Sequence, residues 1–335
     1  SMKVELSAID QSLKSFITNG TGIGYNESIG HHMIEHVELL IGGEVIQRLT
    51  SDFIHIYSEQ YMTQTKQHNL EKLIGKPPLE FSGTMVMSTA LGHYLGNATS
   101  DTKYFIDIPF YFYNNPELAV PLCAITGQEI EIVIKLRDVD QCIHATRTGV
   151  AHVNYIHYTG LKPKNLIKGL KINVEMVSLD EEEKQMLLSK KIDYIITQIQ
   201  ESTDQIPQSP SINPVLVKHK LNFKNPVKEL YFIIQEIRNS VVSSHFVSPL
   251  DYDHADQILD NEYISHEHLR NLEIKLDDSI ILDKVTGNVI NLRAVQSGIH
   301  HSRTQLFKRF YSYSFALEPE RWYPTGQRNF SLIKE

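Results

Sequence analysis

The feature that most constrains this chain is an alternation of apolar and polar residues with a period of two. Across residues 129–137 (Glu-Ile-Glu-Ile-Val-Ile-Lys-Leu-Arg) every even position is apolar and most odd positions are charged. Successive side chains of a strand point to opposite faces, so this run predicts a strand with one buried face. Tyr104 to Tyr113 repeats the pattern, with Tyr104, Ile106, Ile108, Phe110 and Phe112 on one side. Pro109 on the other side cannot donate to a ladder, which predicts an edge strand or a bulge. Leu230-Phe232-Ile234, Leu272-Ile274-Leu276 and Tyr311-Tyr313-Phe315-Leu317 carry the same period. Turn signals separate the runs: Gly42-Gly43, Asn114-Asn115-Pro116, Asn225-Pro226, Thr286-Gly287-Asn288 and Pro324-Thr325-Gly326. Many short strands between turns predict an all-β sandwich or barrel. The 16 Tyr and 13 Phe fit such half-buried pleated surfaces.

One helix interrupts the strands. Asp180 followed by Glu183 matches a capping box, with acidic residues crowding the positive end of the helix dipole, and predicts a helix to about Lys190. Asp193 to Gln200 then reads as a strand, and Glu201 to Pro214, with three prolines, as a loop. A chain of 335 residues that is 41% hydrophobic can bury two cores. The expected division falls near residue 190, giving modules 1–192, with the helix near 180–190, and 193–335. Lys76–Thr102 and Ser240–His268 are long insertions, and loops of that length are often functional.

Charge and cysteine content narrow the function. With 32 basic residues against 40 acidic ones, the net charge of -8 argues against a protein that neutralises phosphates, and no direct nucleic-acid binding is expected. Two cysteines, Cys123 and Cys142, make no disulfide framework. Cys123 is expected to be a small buried residue. No apolar run approaches the roughly 18 residues of a membrane span.

Several patterns invite a chemical reading. His32-Met33-Ile34-Glu35-His36 fits the H-x-x-E-H pattern of inverted zinc proteases, which needs both histidines on one helix face. Gly30 before it and the strand-like run from Val37 leave little room for that helix, so strand and turn histidines are expected instead. The pairs His31-His32, His266/His268 and His300-His301 keep a cupin-like metal site as a rival, although the neighbours of His266-Glu267-His268 are polar and loop-like. A histidine-rich surface could also sense acidification. Asp180 to Glu183 reads as a solvated helix start. Gly20-Thr21-Gly22-Ile23-Gly24 is expected to be a flexible turn, since no Gly-Lys-Ser/Thr of a phosphate loop follows. No catalytic residue, cofactor site or metal site is assigned, and no enzymatic activity is expected.

Four segments carry a family resemblance. The first is Ile29-Gly30-His31-His32-Met33-Ile34 leading into Val37 to Ile46 through Gly42-Gly43 and on to Glu59. The second is Ile108-Pro109-Phe110-Tyr111-Phe112 with Asn115-Pro116-Glu117-Leu118-Ala119-Val120-Pro121-Leu122. The third is Leu221 to Leu230 around Asn225-Pro226. The fourth is Tyr313 to Pro319 with Pro324-Thr325-Gly326-Gln327-Arg328-Asn329-Phe330-Ser331. In this order they resemble the major capsid proteins of nucleocytoplasmic large DNA viruses.

The resemblance implies two tandem eight-stranded antiparallel jelly rolls, the second incomplete here because its C-terminal strands are missing. It implies a homotrimer acting as a pseudo-hexameric capsomer that tiles an icosahedral shell, assembled in the host cytoplasm. Partners would be neighbouring capsomers, minor capsid and penton proteins and, indirectly, an inner viral membrane. The rival readings are a capsid-related scaffold or minor capsid protein, and a metal-dependent jelly-roll enzyme. The motif residues Gly30, Gly42, Gly43, Pro109, Asn115, Pro116, Pro121, Asn225, Pro226, Pro324, Gly326, Asn329 and Phe330 are architectural in this reading. Asn225-Pro226 and Pro324-Thr325-Gly326 would be corners between sheets, with Asn329 bonded to its own turn.

Overall fold

A computed structural model describes residues 1–9, 20–25, 28–75, 100–147, 150–154, 166–206, 215–234, 255–259, 262–265, 269–303 and 310–333. Every strand pairing within them is antiparallel. The first half holds three three-stranded sheets. Strand β3 (Ile34–Ile41) lies between β4 (Glu44–Thr50) and β6 (Ile130–Leu136). Strand β1 (Met2–Leu6) lies between β5 (Thr102–Ile106) and β9 (Ile167–Ile172). Strand β7 (Ile143–Arg147) lies between β2 (Gly20–Tyr25) and β8 (Val150–Asn154).

The period-two runs decide which faces pack. Met2, Val4 and Leu6 of β1 are buried while Lys3 and Glu5 are not, and Ile132, Ile134 and Leu136 of β6 pack on the same core. Each buried aliphatic side chain contributes roughly 1.5–3 kcal/mol. Gly42 and Gly43 take φ of 61° and 83° and close the β3–β4 hairpin, as a two-residue turn with positive dihedrals requires. The β5 ladder ends at Ile106, yet Ile108 and Phe110 stay buried beyond it. The alternation thus outlasts the hydrogen bonds, which stop before Pro109 on an edge strand.

In the second half β11 (Glu229–Ile233) pairs with β16 (Phe310–Ser314), β12 (Ala255–Leu259) with β13 (Glu262–Ser265), and β14 (Ile274–Leu276) with β15 (Ser279–Leu282). The short β10 (Pro226–Val227) pairs with β17 (Arg328–Asn329). A separate core gathers Leu230, Ile274, Leu276, Leu292, Tyr311 and Phe330. Among the described residues no sheet exceeds three strands and no barrel closes.

Several expectations change. Three helices lie in and just after the first motif segment: α1 (Ile29–His32), α2 (Ser51–Gln60) and α3 (Gln64–Ile74). Thr50 caps α2 by accepting from the Phe53 amide, and Gly75 ends α3 at φ 78°. The glycine-rich run 20–24 is part of strand β2 and not a flexible turn, because β7 supplies a ladder that needs no side chains. Asp193–Gln200 forms no ladder among the described residues. Side-chain amides hold it instead: Gln47 Nε2 donates to the Thr197 carbonyl at 2.8 Å and Gln198 Nε2 to the Ile46 carbonyl at 2.8 Å. Gln200 both donates to the Lys224 carbonyl and accepts from the Lys224 amide, mimicking a bridge. Part of the Ser240–His268 insertion is the β12–β13 hairpin, whereas 76–99 lies outside the described residues. Cys123 is only half-buried, in the turn after Pro121, and it is Cys142 that is buried; neither is in a disulfide.

The expected capping box is present at α4 (Glu181–Leu188): Asp180 accepts from the Glu183 amide at 2.8 Å and Glu183 from the Asp180 amide at 3.1 Å. A π-turn (Asn291–Val295) runs into α5 (Gln296–His300) in the second half.

Packing makes Gly30 the sharper of two glycine tests. A Cβ there would sit 2.9 Å from Ile106 Cγ1 and 3.1 Å from the Ile74 backbone. Gly30→Ala is expected to lower unfolding free energy by about 1–3 kcal/mol through overpacking. Gly43→Ala, with nothing within 4 Å but φ of 83°, should cost about 1 kcal/mol through backbone strain alone. Urea unfolding of the two variants checks the order.

Candidate functional site

The zinc reading of His32–His36 fails on local structure. His32 ends the four-residue α1, whereas Glu35 and His36 lie in β3, where neighbouring side chains face opposite ways. Glu35 accepts a 2.8 Å bond from Lys135, which holds its carboxyl below the usual range, and His36 sits 3.8 Å from Glu38 and 3.2 Å from Arg48. Among the described residues no group of three or more His, Cys, Asp or Glu is placed to hold a metal ion. His266 and His268 lie outside them.

The most organised chemistry lies where the halves meet. Ile56 of α2 and Phe310 of β16 form a buried apolar cluster with Tyr231 and Ile233. Beside it His301 Nε2 lies 2.6 Å from Glu229 Oε1, and its Nδ1 lies 3.3 Å from Glu320 Oε1. The His301 side chain is 0% exposed and that of Glu229 3%. The Tyr231 hydroxyl donates to Glu229 Oε2 at 2.8 Å. The Tyr61 hydroxyl, from the first half, lies 3.4 Å from the same oxygen and 3.3 Å from that of Tyr231. Glu320 also accepts from the amide and hydroxyl of Ser302. Gln60 Nε2 donates across the seam to Ser297 Oγ at 2.8 Å.

Electrostatics explains why these groups coexist. Burial alone would push His301 down, but the hydrogen bonds it donates to Glu229 and Glu320 outweigh it and raise its pKa to about 9. Burial opposes ionisation of Glu320, yet the bonds from His301 and Ser302 hold it below the usual carboxylate range. Burial, then the nearby Glu229 charge, keeps Tyr61 and Tyr231 protonated far above the ordinary tyrosine range. Burial lowers Lys228, whose ammonium donates to the Pro319 carbonyl at 2.7 Å. The sequence singled out His301 only as one of a pair; Tyr61, Glu229, Tyr231 and Glu320 carry no local signal that could have found them.

The motif residues fall into two constellations. In the first half Gly30 packs on Ile106 and Ile74, and Gly42 and Gly43 turn the β3–β4 hairpin. Pro109 follows β5; Asn115 donates to the Tyr111 carbonyl at 3.0 Å; Pro116 opens a 3-10 turn; and the Pro121 carbonyl accepts from Ala124. In the second half the two corner motifs meet, with Pro226 opposite Asn329 in the β10–β17 ladder. Asn225, at φ 66°, donates its amide to Ser331 Oγ and accepts from the Phe330 amide. Asn329 Oδ1 accepts from the Ser331 amide at 3.0 Å, and Phe330 is buried against Phe223 and Phe315. Pro324 leads into Gly326, where a Cβ would meet the Phe315 carbonyl at 2.7 Å.

Comparison with known proteins gives the same picture. A family model described as the major capsid protein N-terminus matches residues 2–167, and one described as the large eukaryotic DNA virus major capsid protein matches residues 183–335. The major capsid protein of Pyramimonas orientalis virus is 26% identical over 327 residues, 92% of this chain and 69% of that protein. That of Chrysochromulina ericina virus is 28% identical over 228 residues, 63% of this chain and 38% of the relative. This chain spans less than half the length of several relatives that it matches. The solved PBCV-1 virus capsid superposes with a TM-score of 0.66 at 17% identity, over 99% of this chain and 74% of that one. That likeness shows the fold: a double jelly roll.

The seam predicts a pH dependence. His301 is raised above its unfolded value, so its contribution is fully present below about pH 6.5 and is lost as pH climbs through about 9; it amounts to about 3 kcal/mol at most. Glu229→Gln leaves the buried imidazolium short of a counter-charge and is expected to cost about 3–5 kcal/mol at pH 7. Thermal unfolding between pH 6 and 10 checks both.

Proposed function

The chain belongs to the major capsid protein family of large eukaryotic DNA viruses, and on that premise we propose that it is a structural virion protein whose shape is its function. Three copies associate into a pseudo-hexameric capsomer, since three chains of two tandem barrels each give near-sixfold packing from a threefold molecule. Capsomers then tile an icosahedral shell. The observation that carries this reading is the pair of family matches on either side of residues 168–182, which together take in both buried cores.

In this reading the modules are 1–192 and 193–335, and the motif residues are the scaffold that fixes turns and corners. Apolar faces join subunits within a capsomer, and more polar, weaker contacts join capsomers, so that assembly can correct its errors. Val174, Met176, Val177, Met186 and Leu216 are exposed along the segment between the cores and supply apolar surface for such contacts. Neighbouring capsomers, minor capsid and penton proteins are the proposed partners, with an inner viral membrane as an indirect one. Assembly in the host cytoplasm and residence in the virion complete the proposal.

Light scattering behind a sizing column, on the product of the complete gene, tests it. A stable trimer is expected. A monodisperse monomer that carries stoichiometric zinc or iron would overturn the capsid reading in favour of a metal-dependent jelly roll.

A further inference from the structure

We propose that the seam between the halves is a charge-dependent latch: Tyr61 and Gln60 of the first half close over a buried cluster of His301, Glu229 and Glu320 in the second. This side of the seam stays closed only while His301 is cationic, so it opens on alkalinisation and not on acidification. This goes beyond the capsid reading and does not depend on it.

The geometry assigns the parts. The Tyr61 ring lies 5.2 Å from the His301 ring, tilted by 51°, within range of a cation–π contact. Tyr57 stacks behind Tyr61 at 4.7 Å, so the ring over the imidazolium is braced by its own helix. The Tyr61 hydroxyl lies 3.4 Å from Glu229, and the Gln60 amide is bonded to Ser297 on the opposite wall. Together these seal the side of the cluster that faces the first half.

The charges facing His301 are Glu229 on β11, Glu320 in the turn after Pro319, and Lys228, which feels both carboxylates. Tyr231 on β11, Tyr61 at the end of α2 and Ser302 complete the described polar neighbours. His300 turns away to the Leu317 carbonyl, and Arg321 pairs with Glu318. With His301 charged, two carboxylates face two cations. With it neutral, two carboxylates face the single charge of Lys228, and the almost fully buried Glu229 is left with neutral donors; an under-compensated buried charge is costly. Water entering along the seam relieves that cost, displacing the Tyr61 ring and hydroxyl, the Gln60 amide bond and the Ile56 contact of the first half. Acid acts differently: His301 is already charged, and the carboxyl of Glu320 is held low, so this pair keeps its charges between pH 5 and 7.5.

Hydrogen–deuterium exchange of the full chain from pH 5 to 10, corrected for intrinsic rates, tests the latch. Peptides covering residues 56–61 and 296–303 should be protected to about pH 8, then lose protection by about tenfold per pH unit above about 9. Peptides of β3 should stay protected throughout. His301→Gln should show the open seam at every pH, with β3 still protected. Should that variant not fold, the wild-type profile decides alone. Protection of the seam peptides unchanged to pH 10, loss on acidification to pH 5, or simultaneous loss in β3 would each overturn the proposal.

Discussion

Everything else in the first half depends on the pairing of β3 with both its neighbours. A backbone buried on one face must spend its hydrogen bonds within a ladder, because an unpaired buried amide or carbonyl is costly. β3 bonds to β4 through a two-glycine hairpin and to β6 across a span of some ninety residues. That double pairing brings Ile132 and Ile134 onto the core that Val37 and Leu39 open. Leu70 and Ile74 of α3 form a neighbouring cluster with Met62, whereas α1 and α2 put Ile29 and Ile54 into this core. Arg137, next to β6, ties them down by donating to the His32 carbonyl at 3.0 Å and to the Ser51 hydroxyl.

The second half is held differently. Its described sheets are two-stranded, and a lone hairpin is marginal in water. The two corner motifs compensate by clasping one another through the β10–β17 bridge, the Asn225 bonds and the aromatic cluster of Phe223, Phe315 and Phe330. A further tie runs from the Lys228 carbonyl, which accepts from the amides of Phe315 and Ala316. Two motifs about a hundred residues apart therefore act as one structural unit.

Between the halves, an apolar contact and a buried polar cluster do complementary work. Ile56 and Phe310 supply non-directional attraction, whereas the bonds of Gln60 and Tyr61 fix register. In the proposed shell a defined angle between the two halves is repeated in every subunit. Histidine content alone suggested a response to acid. The environment of the buried His301 reverses the direction, because two carboxylates keep it charged across the acidic range.

The sequence by itself determined the strand faces, the hairpin at Gly42-Gly43, the capping box at Asp180 and the identity of the family, because each rests on neighbours within a few residues or on a fixed motif order. It carried no assignment for the run after Thr50, where apolar spacing at Ile54, Tyr57 and Tyr61 is helical but sits directly behind a strand. It also read glycines 20–24 as a turn, since a glycine strand has no side-chain period to detect. It took Asp193–Gln200 for a strand, because extended backbone held by glutamine amides has the same local letters as one held by a ladder. Only the tertiary structure decided the seam. Tyr61, Glu229, His301 and Glu320 are separated by up to about 260 residues, and a buried ion pair is created by what surrounds it, which no local pattern encodes.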